Sequence, residues 1–313
     1  MSKIPVVVIA GPTGVGKTAT SIEVAKRTNG EIISADSMQI YRGMDIGTAK
    51  VTQDEMQGVP HHMINIVDPS ENFSVYRFVS ECKKAVADIS SRGKLPIIAG
   101  GTGLYIDSFL NDIDFTKVHS DEEYRTYLAS LASQKGNEYV HDMLRQVDSE
   151  SAEKIHPNNL KRVIRALEYH KVTQSTISSH NEETKKKPSP YNCAYICLTR
   201  NRDELYERID KRVDIMLSMG LVDEVKSLIS SGVSTECTSM QALGYKEIAD
   251  CLNGKLTLDE AVDIIKRDSR RYAKRQLTWF RRKTDAVWIN LSDTDDAANI
   301  CTEHIQNTLK NRG

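Results

Sequence analysis

Gly11-Pro12-Thr13-Gly14-Val15-Gly16-Lys17-Thr18 has the spacing G-x-x-x-x-G-K-[ST]. Such a run lets glycine backbone N–H groups point at phosphate oxygens. The start of the following helix adds partial positive charge, and Lys17 adds a full one. The Thr18 hydroxyl suits Mg²⁺ held on the phosphates. The motif commits the chain to a di- or triphosphate group, but not to the ester that carries it. An NTPase commonly adds an apolar strand ending in a magnesium-binding Asp. Here Leu95–Ala99 ends in Gly100-Gly101 instead, and Asp36, after Ile32-Ile33, is the acid so placed. Two roles stay open for Asp36: metal ligand, or general base at the mouth of the site.

These residues need elements to hold them. Pro5–Ala10 is short, apolar and β-branched, the pattern of a buried parallel strand. Thr18–Arg27 has helical character. Glu31–Ser34 and Leu95–Ala99 read as further strands. Phe73–Ser91 reads as an amphipathic helix, with Phe78, Cys82, Ala85 and Ile89 at helical spacing. Alternating strands and helices predict an α/β fold with a P-loop NTPase-like parallel sheet. Near Asn111 the chain turns polar and helical. The expected organisation is a core made of 1–112 and 191–313, interrupted by a mainly helical insert at 113–190. His180–Pro190 reads as a charged loop and Tyr191–Leu198 as a strand, with mostly helix after it.

Of the 313 residues, 39% are hydrophobic and 27% charged, which excludes global disorder. No apolar run is long enough to span a membrane. The chain passes from Met1-Ser2-Lys3 straight into a strand and a glycine loop, so no signal peptide is expected and a cytoplasmic protein is. Six scattered cysteines form no CxxC pair and read as reduced thiols. The adjacent His61 and His62 suit a structural role better than a metal site. The formal net charge of −1 argues against a nucleic-acid partner for the chain as a whole, and 1–110 is neutral, with 11 basic and 11 acidic side chains. Residues 266–283 differ: nine Lys and Arg stand there against one acid, Asp268. That segment suits an RNA phosphate backbone, an anionic membrane or a solvated helix face. Lys161, Arg162 and Arg165 form a smaller basic cluster, and Lys185-Lys186-Lys187 a third.

Further motifs follow in order: Asp36-Ser37-Met38-Gln39-Ile40-Tyr41-Arg42-Gly43, Gly47-Thr48-Ala49-Lys50, Val59-Pro60-His61-His62 and Gly100-Gly101-Thr102-Gly103-Leu104-Tyr105. Then come Arg162-Val163-Ile164-Arg165-Ala166-Leu167-Glu168, Gln241-Ala242-Leu243-Gly244-Tyr245-Lys246-Glu247 and Tyr272-Ala273-Lys274-Arg275-Gln276-Leu277-Thr278-Trp279-Phe280. From about residue 5 to 282 this series resembles the tRNA dimethylallyltransferases (tRNA isopentenyltransferases). Val51 stands where members often have Pro, and Ser269 where many have Thr. A eukaryotic C-terminal zinc-finger extension is absent, which suits the bacterial type.

The resemblance implies transfer of a dimethylallyl group from dimethylallyl diphosphate to N6 of adenosine 37 in tRNAs that read codons starting with U. Gly11 to Thr18 would then hold the donor's diphosphate rather than ATP, with Mg²⁺ on Thr18. Asp36 matches the family's base. Thr102, otherwise read as a turn threonine, gains a role at the leaving oxygen, and Arg212, otherwise a solvated helix residue, one as a diphosphate clamp beside Lys17. The tRNA anticodon stem-loop would meet Asp36, Ser37, Met38, Gln39, Lys161, Arg162, Arg165, Gln241, Lys246, Lys274, Arg275, Gln276, Trp279 and Arg281. A monomer that touches no membrane is expected. The phosphate loop alone also admits a small-molecule or nucleotide kinase, or an RNA-binding NTPase switch without catalysis.

Overall fold

Strand β1, Ile4–Ala10, carries the apolar run, and its last five residues are buried. A run apolar on both faces is stable only with a strand on each side and helices above and below. The computed structural model describes residues 3–113 and 121–310. In it β2 is Gly30–Ser34, β3 His61–His62, β4 Leu95–Gly100, β5 Tyr191–Thr199 and β6 Val287–Asn290. The order is β3-β2-β4-β1-β5-β6, and every pairing is parallel. Val7 stands opposite Ile97 on one side and Ala194 on the other. Each fully buried Val or Ile here contributes about 1.5–3 kcal/mol of transfer free energy.

Because the strands are parallel, the residues that follow β1, β2 and β4 all leave at one edge of the sheet. Those residues are Gly11, Ala35-Asp36 and Gly101-Thr102. The carboxyl edge of an open α/β sheet is where ligands bind. The helix Lys17–Thr28 starts directly after the glycine loop. The longest helix, Leu258–Phe280, is started by a capping box in which Thr257 accepts from the Glu260 amide and Glu260 from that of Thr257. It buries Ala261, Ile265, Ala273, Gln276 and Phe280.

The chain divides into two compact units, Met1–Phe109 with Tyr191–Gly313, and Leu110–Pro190. The second has its own core of Leu128, Val140, Leu144, Val163 and Leu167, on helices that include Glu122–Lys135, Asn137–Val147 and Leu160–Thr173. Within it the fully buried Glu168 accepts from the Asp121 amide and pairs with Arg125 and Arg165.

Three local expectations differ from the structure. His61-His62, given no element from sequence, is a short strand, and Val287–Asn290 adds a strand to the mainly helical C-terminal part. Within His180–Pro190 the helix Ile177–Lys186 extends to residue 186. Thr176 caps it by accepting from the Ser179 amide, and Pro188 disfavours helix at the residue before it.

Candidate active site

The phosphate loop is shaped from outside. The Arg200 guanidinium donates to the Val15 carbonyl at 2.8 Å, and Arg208 to that of Gly14 at 3.0 Å. With these carbonyls occupied, the Gly14 and Gly16 amides donate to no acceptor among the described residues. Gly14 and Gly16 have φ of 78° and 115°, a region that side chains resist. Lys17 donates to the Pro12 carbonyl at 2.8 Å. Burial lowers its pKa to about 8, with Asp36 opposing the shift and Arg212 adding to it.

Asp36 follows β2. One of its carboxylate oxygens accepts from the amides of Met38, at 2.8 Å, and Gln39, at 3.4 Å. The other accepts nothing among the described residues. A carboxylate fixed through one oxygen and open at the other has a free oxygen with which to accept a proton. Across the edge, the Thr102 hydroxyl accepts from the Ser37 amide at 3.2 Å, and the Thr102 amide donates to the Ala35 carbonyl at 3.1 Å. Arg212 reaches the Ala49 carbonyl at 3.5 Å, and burial lowers its pKa.

A cavity of about 580 Å³ opens over the phosphate loop, lined by Lys17, Thr18, Gln39, Arg208, Lys211 and Gln276 among others. A second, of about 390 Å³, has Met38, Val213, Met216, Leu243 and Ile265 in its wall, together with Arg212 and Arg275. Thr13, Asp36, Thr48, Arg212 and Tyr272 belong to both walls. Asp36 therefore stands in the wall shared by a compartment rich in Lys and Arg and one into which more aliphatic side chains and methionines project. Among the described residues no three His, Cys, Asp or Glu side chains could hold a metal. Thr18 and Asp36 do share a cavity, and two oxygen donors fit a cation bound mostly by substrate phosphates and water.

Lys17, Asp36, Thr102 and Arg212, distant in the chain, thus meet at one edge of one unit. The residues singled out for RNA divide. Ser37, Met38, Gln241 and Arg275 line the second cavity. The Gln39 carboxamide is engaged internally: it accepts from the Ser34 hydroxyl and donates to the Thr48 and Ala49 carbonyls. Gln241 and Lys246 are exposed on a polar depression of about 280 Å³. Gln276 is buried and bonded at both ends of its carboxamide, and Trp279 donates its indole N–H to Asp107 at 2.9 Å. In the basic segment Lys266 pairs with Asp214, Arg270 with Asp210, Lys283 with Asp107, and Arg267 and Arg271 with Asp268. Lys274, Arg275, Arg281 and Arg282 keep no ion-pair partner among the described residues, and all four are exposed. In the other unit Lys161 and Arg162 are exposed, whereas Arg165 is tied to Glu168. His61 bonds the Val59 carbonyl, and His62 the buried Glu31, which also holds Arg92 and Lys94. Both histidines are structural.

Sequence reasoning assigned no role to Tyr272, which it offers only as part of a motif, nor to Arg200, Arg208 and Lys211. Arg208 and Lys211 flank the Arg212 position on the helix Arg202–Ser218. Spacing from Arg212 was the available signal for them.

The sheet order, the phosphate loop and the cavities define a P-loop α/β protein with a carboxylate beside its phosphate loop. The IPP transferase family model matches residues 39–283, and the isopentenyl transferase model residues 4–70. The tRNA dimethylallyltransferase of Lachnoclostridium phytofermentans is 52% identical over 302 residues, 96% of each chain. Among solved structures, the full-length tRNA isopentenylpyrophosphate transferase of Bacillus halodurans superposes with a TM-score of 0.74 at 47% identity, covering 98% of this chain and 99% of that one. A eukaryotic dimethylallyltransferase acting on tRNA gives 0.82 at 31% identity, over 99% of this chain and 80% of its own. The chain belongs to the tRNA dimethylallyltransferase (IPP transferase) family. Nothing in the fold or the comparisons favours a kinase.

Proposed function

We propose that this enzyme transfers a dimethylallyl group from dimethylallyl diphosphate to N6 of adenosine 37, in tRNAs that read codons starting with U, and releases diphosphate. The observation that carries the reading is Asp36 in the wall shared by the phosphate-loop cavity and the second one. The adenine N6 is a weak nucleophile because its lone pair is delocalised into the ring. Transfer therefore needs a stabilised leaving group and an acceptor for the N6 proton.

The Gly11 to Thr18 loop, Lys17 and Arg212 bind the diphosphate and offset the charge that grows on it as the C–O bond breaks. Mg²⁺, when bound, adds further neutralisation, with Thr18 as its protein ligand. The unengaged oxygen of Asp36 takes the N6 proton as the new C–N bond forms. Thr102, at the end of β4, donates its hydroxyl to the leaving oxygen. The target base leaves the anticodon-loop stack to reach Asp36, and Ser37 and Met38 border its path. Lys274, Arg275 and Arg281 contact RNA phosphates, with Lys161 and Arg162 of the helical unit.

The test is nucleoside mass spectrometry of tRNA incubated with the enzyme, dimethylallyl diphosphate and Mg²⁺. One dimethylallyl group gained on adenosine, and lost when the donor is omitted, is expected. Phosphate transfer from ATP without that product would replace the reading by a kinase.

A further inference from the structure

Strand β1 pairs with β4 as far as Ala10 and Gly100. Beyond that point the chain from β1 curls into the phosphate loop, while the chain leaving β4 runs on through Gly101 and Thr102. A gap opens between them, and the peptide groups on its two sides are left without a ladder partner. The Gln276 side chain fills it. Its Oε1 accepts from the Thr13 amide and its Nε2 donates to the Gly101 carbonyl, each at 2.9 Å. These partners fix the orientation, because an N–H needs an oxygen and a carbonyl needs an N–H. On the other side of β4 the Thr102 amide donates to the Ala35 carbonyl at 3.1 Å. The Gly101–Thr102 peptide is therefore held at both ends, its carbonyl by Gln276 and its N–H by Ala35. The side-chain amide acts as one more peptide unit. It joins the phosphate loop, Thr102 and the residue before Asp36 in one hydrogen-bonded row. Gln276 is buried, and a Cβ on Gly101 would lie 2.2 Å from its Nε2, so a glycine there is what admits the carboxamide.

We propose that Gln276 is a positioning residue that sets the spacing between the phosphate loop, which binds the donor's diphosphate, and the Thr102 hydroxyl, which donates to the leaving oxygen. The inference rests on the Thr102 assignment made above. In the transfer step the N6–C bond forms and the C–O bond breaks, with its electron pair leaving on diphosphate. The N6 proton goes to Asp36. Gln276 touches none of the reacting atoms and moves no proton. Its effect is geometric: a donor misplaced by about 1 Å can cost on the order of 10²-fold in rate. Gln276 thus serves the chemical step and not RNA binding, although its neighbours Lys274 and Arg275 are exposed cations.

The experiment measures single-turnover rates of the full chain with saturating dimethylallyl diphosphate and tRNA, and affinities for inorganic diphosphate and for tRNA by calorimetry. Gln276→Met keeps the length of the side chain and removes both hydrogen bonds. It is expected to slow the chemical step about 10–10²-fold, with both affinities nearly unchanged. Thr102→Ala alone is expected to slow it about 10²-fold, as for a lost donor to developing negative charge. Added to Gln276→Met, it should cost about threefold or less, because a misplaced hydroxyl has little left to lose. Gln276→Glu tests the link without emptying the gap. Its protonated carboxyl can accept from Thr13 and donate to Gly101, whereas the ionised one only accepts. Its rate relative to wild type is expected to fall as pH rises. A wild-type rate for Gln276→Glu at alkaline pH, or fully multiplicative effects of Gln276→Met and Thr102→Ala, would overturn the proposal. So would a Gln276→Met variant that loses diphosphate or tRNA affinity with its chemical step intact. An unimpaired Thr102→Ala would instead remove the Thr102 assignment on which the inference rests.

Discussion

Asp36 divides its two oxygens between structure and chemistry, so the two can be separated by substitution. Asp36→Asn keeps an oxygen to accept from the Met38 amide and removes the basic oxygen. The rate of dimethylallyl transfer is expected to fall about 10²–10⁴-fold, with tRNA affinity nearly unchanged in a filter-binding assay. A variant of normal rate would exclude Asp36 as the base. Lys17 gives a prediction in pH. Burial lowers its pKa in the folded chain to about 8, against 10.5 for the free side chain. Between those values the unfolded chain binds more protons than the native one, so Lys17 makes stability rise with pH across that window. Diphosphate favours the charged ammonium, so donor binding above about pH 8 should weaken and take up a proton. Calorimetry at pH 8.5 in buffers of different ionisation enthalpy should detect that uptake, and Lys17→Arg should abolish it, since arginine does not titrate there. Binding without proton uptake would show that Lys17 is already fully charged.

At the scale of elements, the segment carrying Thr48 and Ala49 is held by a helix far away in the chain. Glu224, on the helix Leu221–Ser230, accepts from the amides of Asp45 and Ile46 at 2.8 Å and of Gly47 at 3.1 Å, and from the Tyr245 hydroxyl at 2.6 Å. Any side chain at Gly47 would overlap the Tyr245 ring. Glu224→Ala leaves these donors without their acceptor. It is expected to cost about 2–3 kcal/mol in urea unfolding, against about 1 kcal/mol for Tyr245→Phe. Equal small losses would mean that water replaces the carboxylate. The same contact explains how much of the site could be read beforehand. The phosphate loop and β1 are local signals, a spacing and an apolar run, so Gly11 to Thr18 and the strand ahead of them are legible from sequence alone. Asp36 and Thr102 are legible as strand ends. His61–His62 and Val287–Asn290 carry almost no period of their own and become strands only because β2 and β5 offer an edge. Gln276 did leave a trace: it shares the buried face of its helix with Ala273 and Phe280, and an amide in an apolar stripe signals internal hydrogen bonding rather than RNA contact.

Over the whole molecule a formal charge of −1 hides where the free cations are. Nine basic side chains between 266 and 283 suggest a strong RNA-binding segment, but five of them are matched by Asp107, Asp210, Asp214 and Asp268. An exposed ion pair contributes little to stability, yet it removes a cation from the field that RNA phosphates meet. Affinity for RNA should therefore depend on Lys274, Arg275, Arg281 and Arg282 far more than on their paired neighbours. Arg281→Ala and Arg282→Ala are each expected to lower the slope of log K against log salt for tRNA binding by roughly 0.7–0.9, the release of about one counterion. Arg267→Ala should change that slope little, because Arg267 already shares Asp268 with Arg271. Titrations across a range of salt concentrations separate the two classes. Equal slopes for Arg267→Ala and Arg281→Ala would show that the pairs open when RNA binds, and that the segment acts through its total charge.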